Sequence, residues 1–312
     1  MKRIRSLLVV GLMVASILLV TNCQLGEKKR FTLVSPSHTG VAFTNEVYAS
    51  DTLNLADNTN MYNGAGIGIG DLNQDGLPDL VIAGNSVPTK VYLNQGDFQF
   101  QDISEVSGFN AGRWVTGISL VDINEDGLMD IYLSCSILNT AEKRANQLFL
   151  QRESKEGIPQ FEEVGETAGL ADTAFTTQTV FFDYDMDGDL DAYCLTNASE
   201  DFPHNNLRPK KEDGSGVSTD RLYRNEGLDK EGIPHFVNVS EEAGILIEGY
   251  GLGIAVRDVN DDGWPDIYVA NDFITNDLLW INQQDGTFQD QLSQYIKHTS
   301  YNGMGVDIAD IT

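Results

Sequence analysis

Four acidic segments of nine residues recur along the chain and constrain its fold more than any other feature. Each fits the pattern D-x-[DN]-x-D-G-x-x-D without a gap, and together they occupy residues 71–79, 122–130, 183–191 and 258–266. A single segment of this kind could be an isolated polar turn. Four copies of the same form indicate a repeated structural unit.

A second set of residues keeps a constant distance from these segments. Phe100, Phe161 and Phe236 each stand 22 residues before the first aspartate of the next segment. The same interval after Phe288 predicts that Asp310 begins a fifth segment. A glycine also stands five residues before most of the first aspartates, with Gln178 as the exception: Gly66, Gly117, Gly253 and Gly305.

The stretches after the acidic segments predict the fold class. They read LVIA, IYLS, AYCL and IYVA, which are short, apolar and rich in residues that favour buried strands. No long amphipathic helix is evident. Repeats of 51, 61, 75 and 52 residues, each with several strands, predict an all-β chain folded as a β-propeller with about four and a half blades. An all-β solenoid with shorter coils is the alternative. We expect the sequence to be the N-terminal part of a longer protein.

The acidic segments predict calcium sites, about one for each complete segment. Side chains at positions 1, 3, 5 and 9 supply hard oxygen ligands, and position 7 would supply its backbone carbonyl. Magnesium prefers a tighter shell that keeps its waters, and no soft ligand suits zinc. The predicted ligands are Asp71, Asn73, Asp75, Leu77 and Asp79; Asp122, Asn124, Asp126, Leu128 and Asp130; Asp183, Asp185, Asp187, Asp189 and Asp191; Asp258, Asn260, Asp262, Trp264 and Asp266; and Asp310 in the fifth segment.

The segments are not EF-hands. An EF-hand needs a bidentate glutamate at position 12 and a helix on either side. Position 12 here is Ile82, Leu133, Cys194 or Val269, each inside a predicted strand. A catalytic ion would need an open position beside a base and a substrate cleft, so the pattern favours a structural ion. Metal-free Asp-Gly turns are the plain alternative.

The N-terminus resembles an export signal. Lys2, Arg3 and Arg5 precede an apolar run that is too short to span a bilayer, and Cys23 follows it. We predict a lipoprotein signal over residues 1–22 with Cys23 lipidated, then a lead-in strand over residues 23–45 and propeller repeats over residues 46–312. Because Asn22 stands where a small residue is usual, ordinary secretion and an uncleaved anchor remain open.

The net charge limits the partners of the chain. A formal charge of -27 would repel nucleic acid, so the acidity indicates either solubility or cation sites. Apart from Cys23, the cysteines are Cys135 and Cys194, both in apolar stretches. Buried free thiols are the simpler interpretation, and a disulfide stays open.

One long insertion is a candidate for ligand recognition. If each metal loop joins the first two strands of a blade, the next connection emerges on the opposite face. In the third repeat this connection contains the loop from Ser199 to Asp220, with the basic residues Arg208, Lys210 and Lys211. It is either a loop that recognises a ligand or a solvent-exposed surface loop without a binding role. The KEGIP tips at residues 155–159 and 230–234 would lie on the metal side.

Several motifs carry a family resemblance. The stretch GAGIGIGDLNQDGLPDLVIAGN resembles the FG-GAP/VCBS repeats of integrin-α-type propellers, and NxLYxNxGxxxFxxVSxxAG is similar to the cartilage acidic protein (ASPIC/UnbV) branch. The opening FTLVSPSHTGVAFTN resembles lipid-anchored members from Bacteroidota. The resemblance implies a seven-bladed propeller with calcium in the first hairpin of each blade, and a binding or adhesion role outside the cytoplasm, with glycan handling in outer-membrane uptake systems.

The predicted function is therefore a non-catalytic, calcium-stabilised binding module on an outer-membrane lipoprotein, for an unknown glycan or protein ligand. Contact with the membrane would be through the lipid anchor alone. Both the cell surface and the periplasmic side remain open as the location of the protein. The alternative is a calcium-dependent polysaccharide lyase or another carbohydrate-active enzyme built on the propeller. His298, near Tyr295 and Tyr301, is the one candidate for acid/base chemistry, whereas His38, His204 and His235 are scattered. A purely structural surface protein is a third possibility.

Overall fold

A computed structural model describes residues 30–56, 58–198, 208–272 and 275–310. It divides into two compact units, Met1–Thr39 and Gly40–Thr312. The described part of the first unit contains a single helical turn, α1 (Pro36–Thr39). Among the described residues, none lies in a helix with the length and apolar character needed to cross a membrane.

The second unit consists of four antiparallel sheets of four strands each, in which the strands follow the order of the sequence. The first two sheets contain β1 (Ile67–Gly70), β2 (Asp79–Ile82), β3 (Lys90–Asn94) and β4 (Phe100–Asp102), then β5 (Val115–Val121), β6 (Asp130–Cys135), β7 (Gln147–Lys155) and β8 (Ile158–Glu163). The last two contain β9 (Thr176–Phe182), β10 (Asp191–Thr196), β11 (Arg221–Leu228) and β12 (Pro234–Asn238), then β13 (Gly251–Arg257), β14 (Asp266–Asn271), β15 (Leu278–Asn282) and β16 (Phe288–Asp290). Two further helical turns are α2 (Ala141–Arg144) and α3 (Leu292–Tyr295).

The first strand of each sheet lies innermost and contacts the first strand of the next, in the order β1, β5, β9, β13. Apolar side chains fill the space between neighbouring sheets, because three separate core clusters each draw residues from two consecutive sheets. Meandering sheets stacked through their inner strands are the blades of a β-propeller. The predicted fold class is confirmed, and the solenoid alternative is wrong.

Glycines allow the inner strands to approach closely. A Cβ on Gly66 would lie 2.9 Å from the backbone nitrogen of Ile118, and one on Gly117 would lie 2.8 Å from the carbonyl oxygen of Thr177. A Cβ on Gly253 would lie 2.8 Å from the Cα of Gly305. Gly305 therefore lies against the fourth blade as the equivalent glycines lie against their neighbours, in agreement with the predicted fifth repeat.

In the first three blades the outer strand is followed by a glycine corner that meets the next blade, and Gly40, which precedes β1, meets the first blade in the same way. Gly40, Gly108, Gly169 and Gly244 all have φ between +74° and +77°. A Cβ on Gly169 would lie 2.5 Å from the carbonyl oxygen of Phe236. The repeated phenylalanines therefore mark the strand that receives each corner.

Replacing one corner glycine should destabilise the fold strongly. We expect Gly169→Ala to lower the free energy of unfolding by more than about 2 kcal/mol, because the left-handed conformation alone costs roughly 1–2 kcal/mol and the methyl group adds a clash with backbone. Gly227→Ala is the control, since Gly227 has φ +91° but no atom within 4 Å of its Cβ position. Urea unfolding of both variants measures the difference. Equal losses would show that the close contact with Phe236 adds nothing.

Two expectations at the level of elements have different outcomes. The lead-in strand over residues 23–45 is not formed in its described part, because residues 30–45 contain no strand. Instead, the amides of His38 and Thr39 bond to the carbonyl of Ser35 and close a helical turn. Residues 23–29 lie outside the described residues.

The two cysteines, Cys135 and Cys194, are buried and free, as the simpler interpretation predicted.

Candidate metal centre

All four acidic segments join the first strand of a blade to the second. The first aspartate directly follows the end of the inner strand, and the ninth residue is the first residue of the second strand. The KEGIP tips join the third strand to the fourth, and Asn124 donates to the carbonyl of Gly232 at 3.3 Å. That contact places the tip of the third blade beside the metal loop of the second, as predicted.

The aspartate at position 1 organises each loop. In the first loop, Asp71 accepts the backbone amide of Asp75 at 3.1 Å and that of Gly76 at 2.7 Å. Asp122, Asp183 and Asp258 accept the equivalent pair of amides at 2.8–3.1 Å. The aspartate at position 5 accepts the amide of position 7 in every loop, at 2.8–3.1 Å. These bonds turn the backbone around the carboxylates.

The turn requires left-handed backbone at two positions. Position 6 is always glycine, and its φ lies between +83° and +104°. Position 4 has φ between +55° and +61°, although its residues are Gln74, Glu125, Met186 and Asp261. A residue other than glycine rarely adopts this conformation, so the other loop contacts must stabilise it. The sequence pattern did not reveal position 4, because no glycine marks it.

The aspartate at position 9 is fully buried and joins three elements. Asp79 accepts the amide of Leu72, at position 2, at 2.8 Å and the amide of Asn94, on the third strand, at 2.7 Å. Asp130, Asp191 and Asp266 accept the same two amides at 2.7–3.1 Å. Each carboxylate therefore connects the loop, the second strand and the third strand, and it still has lone pairs for a cation.

Two of the four third-strand residues that donate to position 9 also join neighbouring blades. The side-chain amide of Gln151 donates to the carbonyl of Leu72 at 2.9 Å, and that of Asn282 donates to the carbonyl of Tyr184 at 2.8 Å. Both acceptors are the position-2 residue of the preceding loop. In each blade this asparagine or glutamine stands two residues after an aromatic residue of the third strand, and its residue type alone does not indicate this role.

Burial raises the pKa of every position-9 carboxyl group. For Asp130 and Asp191 the pKa is about 7, because desolvation outweighs the two backbone hydrogen bonds and nearby aspartates add repulsion. The pKa values of Asp79 and Asp266 are raised for the same reason. An ionised carboxylate at this position needs positive charge close by, and a divalent cation would supply it.

The third loop has the richest donor set. Ligand atoms of Asp183, Asp185 and Asp187 lie within 4.8 Å of one another. One oxygen of Asp185 and one of Asp189 are shielded from solvent and have no hydrogen-bond partner. Burial and the neighbouring aspartates raise the pKa of Asp189 to about 6. Orphaned hard oxygens beside converging carboxylates fit a calcium ion.

Several other predicted site residues fall outside the described residues. Residues 199–207 of the predicted recognition loop, which include His204, lie outside the described residues, as do Cys23 and the end of the fifth segment after Asp310. In the remainder of that loop, Arg208 pairs with Glu248, Lys210 pairs with Glu212 at 3.0 Å, and Lys211 donates to the carbonyl of Ser215 at 3.0 Å. Of these three contacts, that of Arg208 with Glu248 joins the loop to the rest of the protein, whereas those of Lys210 and Lys211 lie within the loop.

The candidate acid/base residues are exposed. His298 and Tyr301 line the same open cavity of about 440 Å³, together with Lys297, whereas Tyr295 lies outside its lining. His235 is exposed on β12. The structure thus brings His298 together with one of the two tyrosines that the sequence placed near it.

Known proteins share the repeat. The FG-GAP-like repeat family matches residues 71–133 and 258–312. The T-cell immunomodulatory protein homolog of Plasmodium yoelii yoelii is 24% identical over 245 residues, which cover 64% of this chain and 33% of the relative. Cartilage acidic protein 1 of Xenopus tropicalis is 24% identical over 212 residues, which cover 67% and 29%. The human form is 28% identical over 131 residues, which cover 41% and 19%.

A solved structure is also similar, the biofilm matrix protein Bap1 of V. cholerae, with a TM-score of 0.36 and 14% identity over 73% of this chain and 28% of that one. The chain thus spans a third or less of the length of these relatives. The residues that match the FG-GAP-like repeat contain the first, second and fourth acidic segments. This chain carries FG-GAP-like repeats on a β-propeller and is similar in sequence to cartilage acidic protein 1.

Proposed function

We propose that this chain is a non-catalytic binding module that acts outside the cytoplasm and is stabilised by calcium. The observation that supports it best is the common construction of the four loops, each closed by the same amide bonds around a buried aspartate. Burying a carboxylate among other carboxylates is unfavourable unless a cation compensates it. Calcium would join two strands and a loop in each blade.

The donor chemistry selects calcium among common cations. All side-chain donors are carboxylate or amide oxygens, and calcium accepts such ligands in flexible shells of six to eight. In this proposal positions 1, 3, 5 and 9 hold the ion together with the position-7 carbonyl, including Asp310 in the fifth loop. When bound, the ion supplies charge neutralisation and crosslinks the hairpin.

Elemental analysis tests the number of ions. Protein dialysed against calcium-free buffer should retain about four calcium ions per chain, one for each complete loop. The double variant Asp183→Asn and Asp187→Asn should lose one ion, because it removes two charges from the third loop only. Replacing the exposed Glu153 and Glu156 by glutamine is a control with the same change in charge. Calcium-free wild-type protein would reject the proposal.

The ligand is proposed to bind on the face opposite to the metal loops. The longest connections emerge there, including the one that contains the loop from Ser199 to Asp220. Within this loop, Thr219 forms an isolated antiparallel β-bridge with Glu248. A glycan or protein is the proposed class of partner, in an outer-membrane uptake system as the sequence resemblance implies. A ligand array with the intact protein would test this role, and binding confined to the metal face would contradict it.

Attachment through Cys23 is the proposed anchor. We expect the wild-type chain to incorporate radiolabelled palmitate and to enter the detergent phase when it is produced in a bacterium that processes lipoproteins. Cys23→Ser should abolish both, because the thioether to the lipid requires the thiol. Asn22→Ala is the matched control and should retain the label, since a small residue is usual there. Label that persists in Cys23→Ser would contradict the anchor.

A further inference from the structure

A cavity of about 380 Å³ lies where the inner strands of successive blades begin. Ala65, Thr116, Thr177 and Leu252 line it, one from each of the four blades, and Met304 adds the start of the fifth repeat. Because the metal loops follow the other ends of these strands, the cavity opens on the opposite face. Its size is within the range of small-ligand pockets.

Among the residues that the structure describes, no ionisable side chain lines the cavity, although the chain carries 47 acidic residues. Its polar groups are three amides and three hydroxyls, from Asn60, Asn63, Asn197, Thr116, Ser136 and Thr177. Its apolar surface comes mainly from Ile137, Leu252 and Met304. A lining of this composition offers hydrogen bonds without charge, beside apolar surface that suits C–H groups.

The hydroxyls are held in place by contacts between blades. Thr116 Oγ1 is 2.7 Å from the carbonyl oxygen of Thr176 and 3.0 Å from that of Ser134. Thr177 Oγ1 is 3.1 Å from the carbonyl oxygen of Gly251 and 3.2 Å from that of Leu195. Each hydroxyl therefore directs its proton to backbone and keeps lone pairs that can accept from a ligand.

The amides complement these acceptors. The side-chain nitrogen of Asn63 donates to the side-chain oxygen of Asn60 at 3.0 Å, and a primary amide has a second N–H to donate. The cavity thus presents fixed acceptors on the strands and an amide donor on the preceding loop. A ligand that both donates and accepts through closely spaced neutral groups matches this arrangement.

We propose that this cavity binds a short neutral saccharide. Sugar hydroxyls donate to Thr116 and Thr177 and accept from Asn63, while the apolar side chains contact the ring C–H groups. This inference rests on the proposed binding function and gives it a site and a ligand class. Anionic saccharides are disfavoured, because the described lining residues supply no cation and the net charge of the chain is -27.

Calorimetric titration of the intact, calcium-supplemented protein tests the proposal. The probes are short neutral oligomers of glucose, mannose, galactose, xylose and N-acetylglucosamine, with oligogalacturonate of matched length as the anionic arm. We expect at least one neutral oligomer to bind and oligogalacturonate to bind at least about tenfold more weakly. No binding by any neutral oligomer, or equal binding by the anionic one, would overturn the inference.

Variants locate the site. Thr116→Val, Thr177→Val and Asn63→Ala should each weaken saccharide binding by about tenfold, which corresponds to one lost hydrogen bond. Ser119→Ala is the matched control, because Ser119 donates from the same inner strand to Thr179 at 2.5 Å but does not line the cavity. Melting temperatures check folding. Unchanged binding in all three variants would place the saccharide elsewhere.

The outcomes separate this inference from the proposed function. Calcium content without any saccharide binding would overturn the cavity assignment and leave the calcium-stabilised module in place. Saccharide binding to a protein that holds no calcium would support the cavity and reject the proposed role of the metal.

Discussion

Chelation of calcium is expected to lower the midpoint of thermal unfolding by at least about 10 °C. An ion present at about 100 times its dissociation constant adds roughly 2.7 kcal/mol to the stability of the state that binds it. Several such sites act together here, and 1 kcal/mol shifts the midpoint of a large domain by roughly 2–4 °C. Differential scanning calorimetry in EDTA and in excess calcium measures the shift.

Two additions make the result specific. Calcium restored after chelation should return the midpoint, whereas magnesium at the same concentration should return little of it, because its octahedral shell fits these loops poorly. An unchanged midpoint in EDTA would show that the loops are stable turns that do not depend on a cation.

The chelated protein should also respond to pH in a defined direction. Asp130 and Asp191 have a pKa of about 7 in the folded, metal-free chain, whereas an unfolded aspartate has a pKa of roughly 3.9. The folded state therefore binds more protons between these values, so the stability of the calcium-free chain falls as the pH rises from about 4 to about 7. Urea unfolding across this range measures the slope. A rise in stability with pH under chelation would contradict the assignment of these carboxyl groups.

Removal of a position-9 aspartate is expected to be the most damaging single substitution in a loop. Asp130→Ala leaves the amides of Ile123 and Gln151 without their acceptor inside the protein. Each buried, unpaired amide costs about 1–3 kcal/mol, so we expect a loss of roughly 2–6 kcal/mol of unfolding free energy. Urea unfolding in EDTA isolates this structural cost from the loss of the ion.

The neighbouring positions provide the controls. Asp130→Asn keeps one acceptor oxygen and should lose about half as much, while Glu125→Ala at the exposed position 4 tests the loop surface without touching either amide. If Asp130→Ala unfolds at the same urea concentration as the wild type, the buried aspartate does not hold the two strands and the loop together.

Much of this architecture could be predicted from sequence because it depends on spacing. The loops recur, and the interval from each repeated phenylalanine to the next first aspartate is the same in every repeat, as from Phe236 to Asp258. Both regularities reflect a blade of fixed construction, so the strands and the fifth repeat at Gly305 could be predicted from residue spacing. The oxygen-bearing side chains at positions 1, 3, 5 and 9 are visible in the sequence as residue types, and their assignment as calcium ligands stays a prediction.

Features that depend on tertiary contacts could not be predicted in this way. The left-handed conformation of Met186 has no signature in its side chain, and the two amides held by Asp130 come from elements far apart in sequence. Within residues 30–45 the predicted lead-in strand is not formed, and the Ser35 carbonyl closes a helical turn there instead. The basic residues suggested recognition, yet the Arg208 contact with Glu248 is a long-range ion pair that composition does not reveal.

The most direct test of the proposed calcium sites is an anomalous difference map from crystals grown in calcium. We expect one peak inside each of the four complete loops, about 2.3–2.6 Å from the side-chain oxygens at positions 1, 3 and 5. Loops that keep the same amide bonds around Asp71, Asp122, Asp183 and Asp258 but show no peak would contradict the claim that these hairpins are calcium sites.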